Sequence, residues 1–238
     1  MLETSNAWKI AYPGAQIGIL ALNNIANPDV CPGLDLRKTA LEDTLRQQFA
    51  GETRQAIEAL PTIQAYTAYY KQFKKTYHVL LQLESVALKG KPIPRVAALV
   101  EAMFMAELES QLLTAGHDLD LIQLPISIEV SRGDERYILL NGQEQILKPN
   151  DMYIMDRLGI ISDVIYGPDQ RTQIRQETRS VLFTVYAPAG IGQDRLANHL
   201  ETMREYVKLI SPEAETAVME IIQACPFIIS QEKDRGNL

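Results

Sequence analysis

His117 and Asp118 are the side chains in this sequence best suited to moving a proton. An imidazole oriented by a carboxylate is a general base, and here the two stand side by side. Adjacency counts against them as a pair, because neighbouring residues seldom face each other. The plainer reading makes Gly116 the end of a helix and Asp118 the start of a turn. Cys31 and Cys225 lie far apart and form no metal-ligand spacing. No His-Glu metal spacing and no Ser/His/Asp order stands out, and Gly14-Ala15-Gln16-Ile17-Gly18 lacks the phosphate-cradling pattern. The sequence therefore predicts no metal and no cofactor.

Two basic clusters could meet a phosphate backbone. One holds Lys71, Lys74, Lys75, Lys89, Lys91 and Arg95, with Glu84 the only acid among them. The other holds Arg171, Arg175 and Arg179, beside a turn at Gly167. Local charge runs usually mean solvated surface, but arginine clamps carboxylate or phosphate with two parallel bonds. The net charge of −7 argues against a strongly basic nucleic-acid binder without excluding a local patch. Tyr66, Tyr69, Tyr70 and Phe73 read as a packing surface, since stacking platforms sit on exposed basic faces.

The elements that must position these groups can be read from periodicity. Strands are predicted at 137–140, 143–147, 152–155, 160–166 and 180–186, closed by Pro188. Asn141-Gly142 predicts a type I′ hairpin turn, and Gly167-Pro168-Asp169 another turn. This run should be the structural centre. Upstream, strands are expected at 8–11, 17–25 and 121–130. Helices are expected at 36–60 (divided at Gly51 and ended by Pro61), 63–73, 80–89 and 95–113. Downstream, Leu196, Leu200, Met203, Val207 and Ile210 form one apolar helical stripe. Ser211-Pro212-Glu213 reads as the start of a last helix burying Val218, Ile221 and Ile222, before a polar tail at 231–238.

With 238 residues, 46% of them hydrophobic and 22% charged, the chain is an ordinary globular sequence, expected to form a single domain over 1–238. Two distant cysteines suit a reducing, cytoplasmic compartment. The first residues lack the basic start of a signal peptide. No uncharged apolar run approaches the ~20 residues that span a bilayer, so no membrane association is expected.

One ordered series of residues carries a resemblance. It comprises Asn141-Gly142, Glu144, Leu147, Asp151, Ile154-Met155-Asp156, Gly159, Gly167, Thr178 and Val181-Leu182-Phe183. Upstream stand Gly90-Lys91-Pro92-Ile93-Pro94, Leu99-Val100-Glu101 and Asp118-Leu119-Asp120. The series resembles the B3/B4 domain of the phenylalanyl-tRNA synthetase β subunit and its free-standing relatives, over about residues 77–187. The resemblance implies an α+β fold with an antiparallel, sandwich-like sheet core. An N-terminal strand and helices fill 1–76, and C-terminal helices fill 190–225.

The synthetase domain hydrolyses mischarged tyrosyl-tRNA. The resemblance sets Phe104, Ala115 and Thr184 where that family's pocket carries asparagine, histidine and glutamate, and sets Gly167 on the pocket's backbone. None of the three substitutes can do the work of the residue it replaces, and His117 could stand in for the histidine only if turned inward. Three readings follow. The chain binds tRNA or an aminoacyl group without efficient editing, it hydrolyses mischarged aminoacyl-tRNA in trans, or it keeps only the fold and binds a free amino acid, another small molecule or a protein.

Overall fold

The computed structural model describes residues 1–225, so the tail expected at 231–238 lies outside them. The fold is α+β, with two larger sheets and a two-stranded ribbon. The first sheet has the order β11-β2-β10-β3, from β2 (Gln16–Asn23), β3 (Leu113–Asp118), β10 (Val181–Ala187) and β11 (Glu215–Gln223). All its pairings are antiparallel. Every residue of β3 and β10 is buried, so neither strand shows the alternation of a half-wetted sheet. Helix α7 (Gln193–Ile210) packs its stripe of Leu196, Leu200, Met203 and Val207 into the core.

The last helix expected from Ser211-Pro212-Glu213 does not form. Ser211 turns its hydroxyl to Ala26 N, which donates to Oγ at 2.8 Å, and the chain returns as edge strand β11 along β2. Among the described residues, the C-terminal part is therefore one helix and one strand.

The second sheet has the order β1-β4-β7-β8-β9. Its members are β1 (Leu2–Thr4), β4 (Ile126–Val130), β7 (Met152–Asp156), β8 (Gly159–Asp163) and β9 (Gly167–Pro168). β1 joins β4 in parallel, and the other pairs are antiparallel. Gly167-Pro168 is thus a short strand rather than a turn. β5 (Arg136–Ile138) and β6 (Glu144–Ile146) make a separate ribbon. The strand run is accordingly split over three sheets, because β10 pairs with β2 and β3 instead of its sequence neighbours. The Asn141-Gly142 turn is not type I′. Only Gly142 has positive φ (80°), Gly142 N donates to Leu139 O at 2.8 Å, and Leu139 N donates to Gln143 O at 2.9 Å. Three residues therefore form the loop, with glycine in the left-handed position.

The strand expected at 8–11 is helix α1 (Asn6–Ala11), begun by Ser5, whose Oγ accepts from Trp8 N at 3.1 Å. The helical layer then runs through α2 (Pro32–Gln48), α3 (Arg54–Glu58), α4 (Pro61–Gln72), α5 (His78–Leu83) and α6 (Ala98–Ser110). A π-helical turn, Glu84–Leu88, extends α5. Pro61 opens α4 instead of only ending its predecessor, since its missing N–H is an orphan there anyway. Gln111 (φ 60°) stops α6, so Leu113 belongs to β3 and Gly116 lies inside a strand.

The tyrosines of α4 are interior. Tyr66, Tyr69 and Tyr70 are all buried. The Tyr66 hydroxyl accepts from Leu113 N at 2.9 Å and donates to Tyr186 O, joining β3 to β10. Among the described residues, no helix is long and apolar enough to cross a membrane.

Candidate functional site

A cavity of about 490 Å³ opens where β3, the β8–β9 edge and α6 converge. Phe104 and Glu107 reach it from α6, Leu113 to Gly116 from β3, and Asp163 to Pro168 from the β8–β9 connection. Of the residues expected to line a pocket, Phe104, Ala115 and Gly167 stand on this wall; Thr184 does not. Thr184 pairs with Ala115 across the sheet and is fully buried, its Oγ1 without a partner. Gly167 has φ +87°, with open space where a Cβ would stand. Only glycine adopts that backbone without strain.

His117 and Asp118 do not act on each other. They are neighbours in β3, and successive side chains of a strand point to opposite faces. The Thr172 hydroxyl donates to Asp169 Oδ1, so its oxygen accepts from His117 Nδ1, 2.8 Å away. That leaves His117 Nε2 as a buried lone pair without a donor. Burial, reinforced by the charge of Arg171, holds the imidazole neutral with its pKa near 3. Asp118 accepts from the Thr178 hydroxyl at 2.8 Å and from Asp120 N at 3.1 Å. Neither residue lines the cavity, so the general-base pair does not form. The plainer reading holds in part: Gly116 lies inside β3 and not at a helix end, but Asp118 does start a turn, capping the 3-10 helix Leu119–Leu121.

The structure adds two carboxyl groups on the cavity wall. Glu107 is 1% exposed, and its Oε1 accepts from Thr114 N at 2.8 Å. Burial pushes its pKa up to about 8, the Thr114 bond countering only in part. Asp163, on β8, lies against Asp151, which precedes β7. Asp163 Oδ1 accepts from Tyr166 N (2.7 Å), Gly167 N (3.0 Å) and the Tyr137 hydroxyl (3.1 Å). Asp151 Oδ1 accepts from the Tyr69 hydroxyl at 2.5 Å. Burial raises both carboxyls, and Asp163's charge raises Asp151 further. The pair shares a proton, and the uneven supply of donors leaves it on Asp151. Asp163 thereby pins the backbone that carries Gly167.

The basic clusters are mostly engaged. Arg171 is not free for phosphate: it grips Asp156 through two nitrogens at 2.8 and 3.0 Å and donates to Leu121 O at 3.0 Å. Arg179 donates to the carbonyls of Gln176 and Thr178. Lys89 pairs with Glu84 at 2.7 Å, and Arg95 with Asp35 at 3.0 Å. Arg175 is exposed on a shallow depression shared with Arg171. Lys71 and Lys75 border another depression, and Lys74 is exposed at the end of α4. Lys75 lies 5.4 Å over the ring of Tyr166, a cavity-wall residue. Lys91 borders a second apolar depression of about 360 Å³ that shares His78 and Phe104 with the cavity. Lys75, Lys91 and Arg175 are therefore the unpaired cluster members beside the cavity, since the depression at Arg175 shares Gln173 with it.

The sequence matches the B3/4 domain family over residues 63–224. This chain belongs to that family. The match begins within α4 and takes in α7 and β11, so it reaches beyond the core expected at 77–187. A solved N-terminal fragment of the phenylalanyl-tRNA synthetase β-subunit from Pyrococcus horikoshii is similar to this B3/4-family chain. The identity is 12% and the TM-score 0.47, covering 93% of this chain and 50% of that one. The chain thus spans about half the length of that structure. No curated protein matches it in sequence.

Sequence reasoning missed Glu107. The signal was present: it is an acid within the otherwise apolar run Ala102-Met103-Phe104-Met105-Ala106-Glu107-Leu108. Asp163 gave no such signal, because its partner Asp151 meets it only through the β7–β8 hairpin.

Proposed function

We propose that this B3/4-family chain is a binding module whose cavity takes the aminoacyl end of a tRNA without hydrolysing it efficiently. The observation that carries the reading is the cavity itself. It lies at Phe104, Ala115 and Gly167, the positions at which the family resemblance sets the pocket. An apolar hollow of this size suits an amino-acid side chain. Lys75 and Lys91, close to its opening, are the groups that would meet the phosphates behind the aminoacyl ester. A cytoplasmic setting, in which the free thiols of Cys31 and Cys225 stay reduced, is part of the proposal.

Poor hydrolysis follows from the wall's chemistry. Ester cleavage needs an oriented water and donors for the developing oxyanion, and losing one donor lowers the rate roughly a hundredfold to a thousandfold. Phe104 and Ala115 offer neither a base nor a donor. His117, the side chain that could replace the lost imidazole, is turned to Thr172.

A hydrolase acting in trans remains the second reading, favoured by one observation: His78 lines the same cavity as Glu107. Binding of phenylalanyl- and tyrosyl-tRNA across a salt series tests the proposal. Affinity should fall steeply as salt rises, through counterion release, and should weaken in the Lys75→Ala/Lys91→Ala double variant. Tyrosyl-tRNA should deacylate no faster than without protein. Rapid deacylation lost in His78→Ala would establish the hydrolase instead, and absence of binding at low salt would end the tRNA reading.

A further inference from the structure

Half of Glu107 serves the fold, since its Oε1 ties α6 to β3 through Thr114 N. The other half has no internal task. Oε2 makes no hydrogen bond, although the residue is 1% exposed and lines the cavity. Oε2 is open to the cavity rather than sealed in the interior, so its lone pairs are available to whatever enters. No lysine or arginine stands among the described residues of the cavity wall. The titratable groups around Glu107 are Tyr66 and Tyr70 of α4, Tyr77 before α5, Tyr186 of β10, Tyr166 and Asp163 at the β8–β9 edge, and His78 at the rim. Apart from the rim histidine, none can bring positive charge to Oε2. Phe104, Leu113 and Ile174 make much of the remaining wall apolar, with Thr114 and Gln173 its other polar side chains. Asp163 is occupied by its backbone donors, so Glu107 is the acid with an oxygen to spare, and its complement is a cation carried on an apolar body.

We propose that Glu107 anchors the ligand's ammonium group, so that the cavity selects primary amines borne on an apolar group of amino-acid side-chain size. The proposal rests on the cavity being the ligand site described above, and it adds the ligand's charge. Before binding, at neutral pH, Glu107 is a neutral acid. An ammonium at hydrogen-bonding distance favours the carboxylate. The carboxyl O–H therefore breaks as the amine docks, and its proton goes to the buffer. No covalent bond to the ligand forms.

Isothermal titration calorimetry with phenethylamine and N-acetylphenethylamine at pH 7 tests this, in phosphate and in Tris buffer. Phenethylamine should bind at least tenfold more tightly than its acetylated form. Its apparent enthalpy should differ between the buffers in the sense of proton release. Glu107→Gln keeps an acceptor for Thr114 N; it should lose the tenfold preference and the buffer dependence. Asp43→Asn, an exposed carboxyl on α2 away from the cavity, should keep both. Equal binding of the two probes, unchanged preference in Glu107→Gln, or loss of the preference in Asp43→Asn would each overturn the proposal. Should Glu107→Gln not fold, equal binding of the two probes by the wild type would overturn it alone. A parallel tRNA titration separates the two readings. Amine selectivity without tRNA binding sinks only the tRNA reading, and tRNA binding without amine selectivity sinks only this one.

Discussion

Strand β7 has a buried aspartate at each end, and the two are treated in opposite ways. At its C-terminal end, Asp156 collects donors on both oxygens. Oδ1 accepts from Leu158 N, Gly159 N and Arg171, and Oδ2 from Gln123 N and Arg171. Burial alone would raise its pKa, but the Gln123 N–H and the Arg171 guanidinium hold it below the usual carboxylate range. At the N-terminal end, Asp151 has the Tyr69 hydroxyl, the Ile165 N–H and another carboxylate for company, and burial and that carboxylate raise its pKa so that it keeps its proton. Neither side chain is open to solvent, but Asp151 lies deeper in the protein, and the supply of donors differs too. Charge on a buried acid is set by what hydrogen-bonds it together with how far it lies from water. The well-supplied end closes the fold, and the poorly supplied end stands behind the cavity.

Three substitutions probe that contrast. Arg171→Ala should have the largest effect, because it leaves Asp156 charged and buried without its cation. Breaking such a pair typically costs about 3–5 kcal/mol, and partial exposure of Arg171 points to the lower figure. Urea denaturation should show it; a loss below about 1 kcal/mol would mean that the backbone donors suffice alone.

Asp151→Asn comes next. The native state holds a proton that the unfolded chain releases above about pH 4. Wild-type stability should therefore fall as pH rises from there toward the raised native value. Asparagine is neutral throughout and can donate to Asp163. At pH 9 the variant should exceed the wild type by roughly 1–2 kcal/mol, a tenfold change in proton affinity being worth about 1.4 kcal/mol. Parallel stability curves from pH 5 to 9 would place the proton elsewhere.

Tyr69→Phe should be the mildest. It removes a donor to Asp151 and an acceptor for Met152 N, at 2.5 and 2.7 Å. The expected loss is roughly 1–2 kcal/mol. Because Tyr69 favours the ionised form of Asp151, the pH-dependent fall should move to higher pH. A downward move would reverse the assigned role.

The sequence made elements legible where one face alone is apolar. The stripe through Leu196, Leu200, Met203 and Val207 could only be a helix. It misled where the same residues fit two periods. Val218, Ile221 and Ile222 suit a helix as well as a strand, and the Ser211-Pro212-Glu213 start tipped the reading. What decides is β2, about two hundred residues upstream, which offers β11 an open edge. β3 was invisible as a strand because burial on both faces erases alternation. At the site, Phe104, Ala115 and Gly167 were reached through an ordered motif series. Glu107 and the Asp151–Asp163 pair were not, since their chemistry arises from α6, β7 and β8 meeting in space. Arg171 shows the reverse failure, a surface-like charge run that conceals an interior partner.

Tyr66 lends the molecule a separate kind of control. At the corner where Leu113 faces Tyr186, a phenol oxygen stands between the two main chains, taking the proton of one and giving its own to the other. It works as a dowel, fixing two strands at the end of their pairing. Both bridged residues are on the cavity wall. The place of that part of the wall is thus set from α4, by a side chain that does not itself line the cavity.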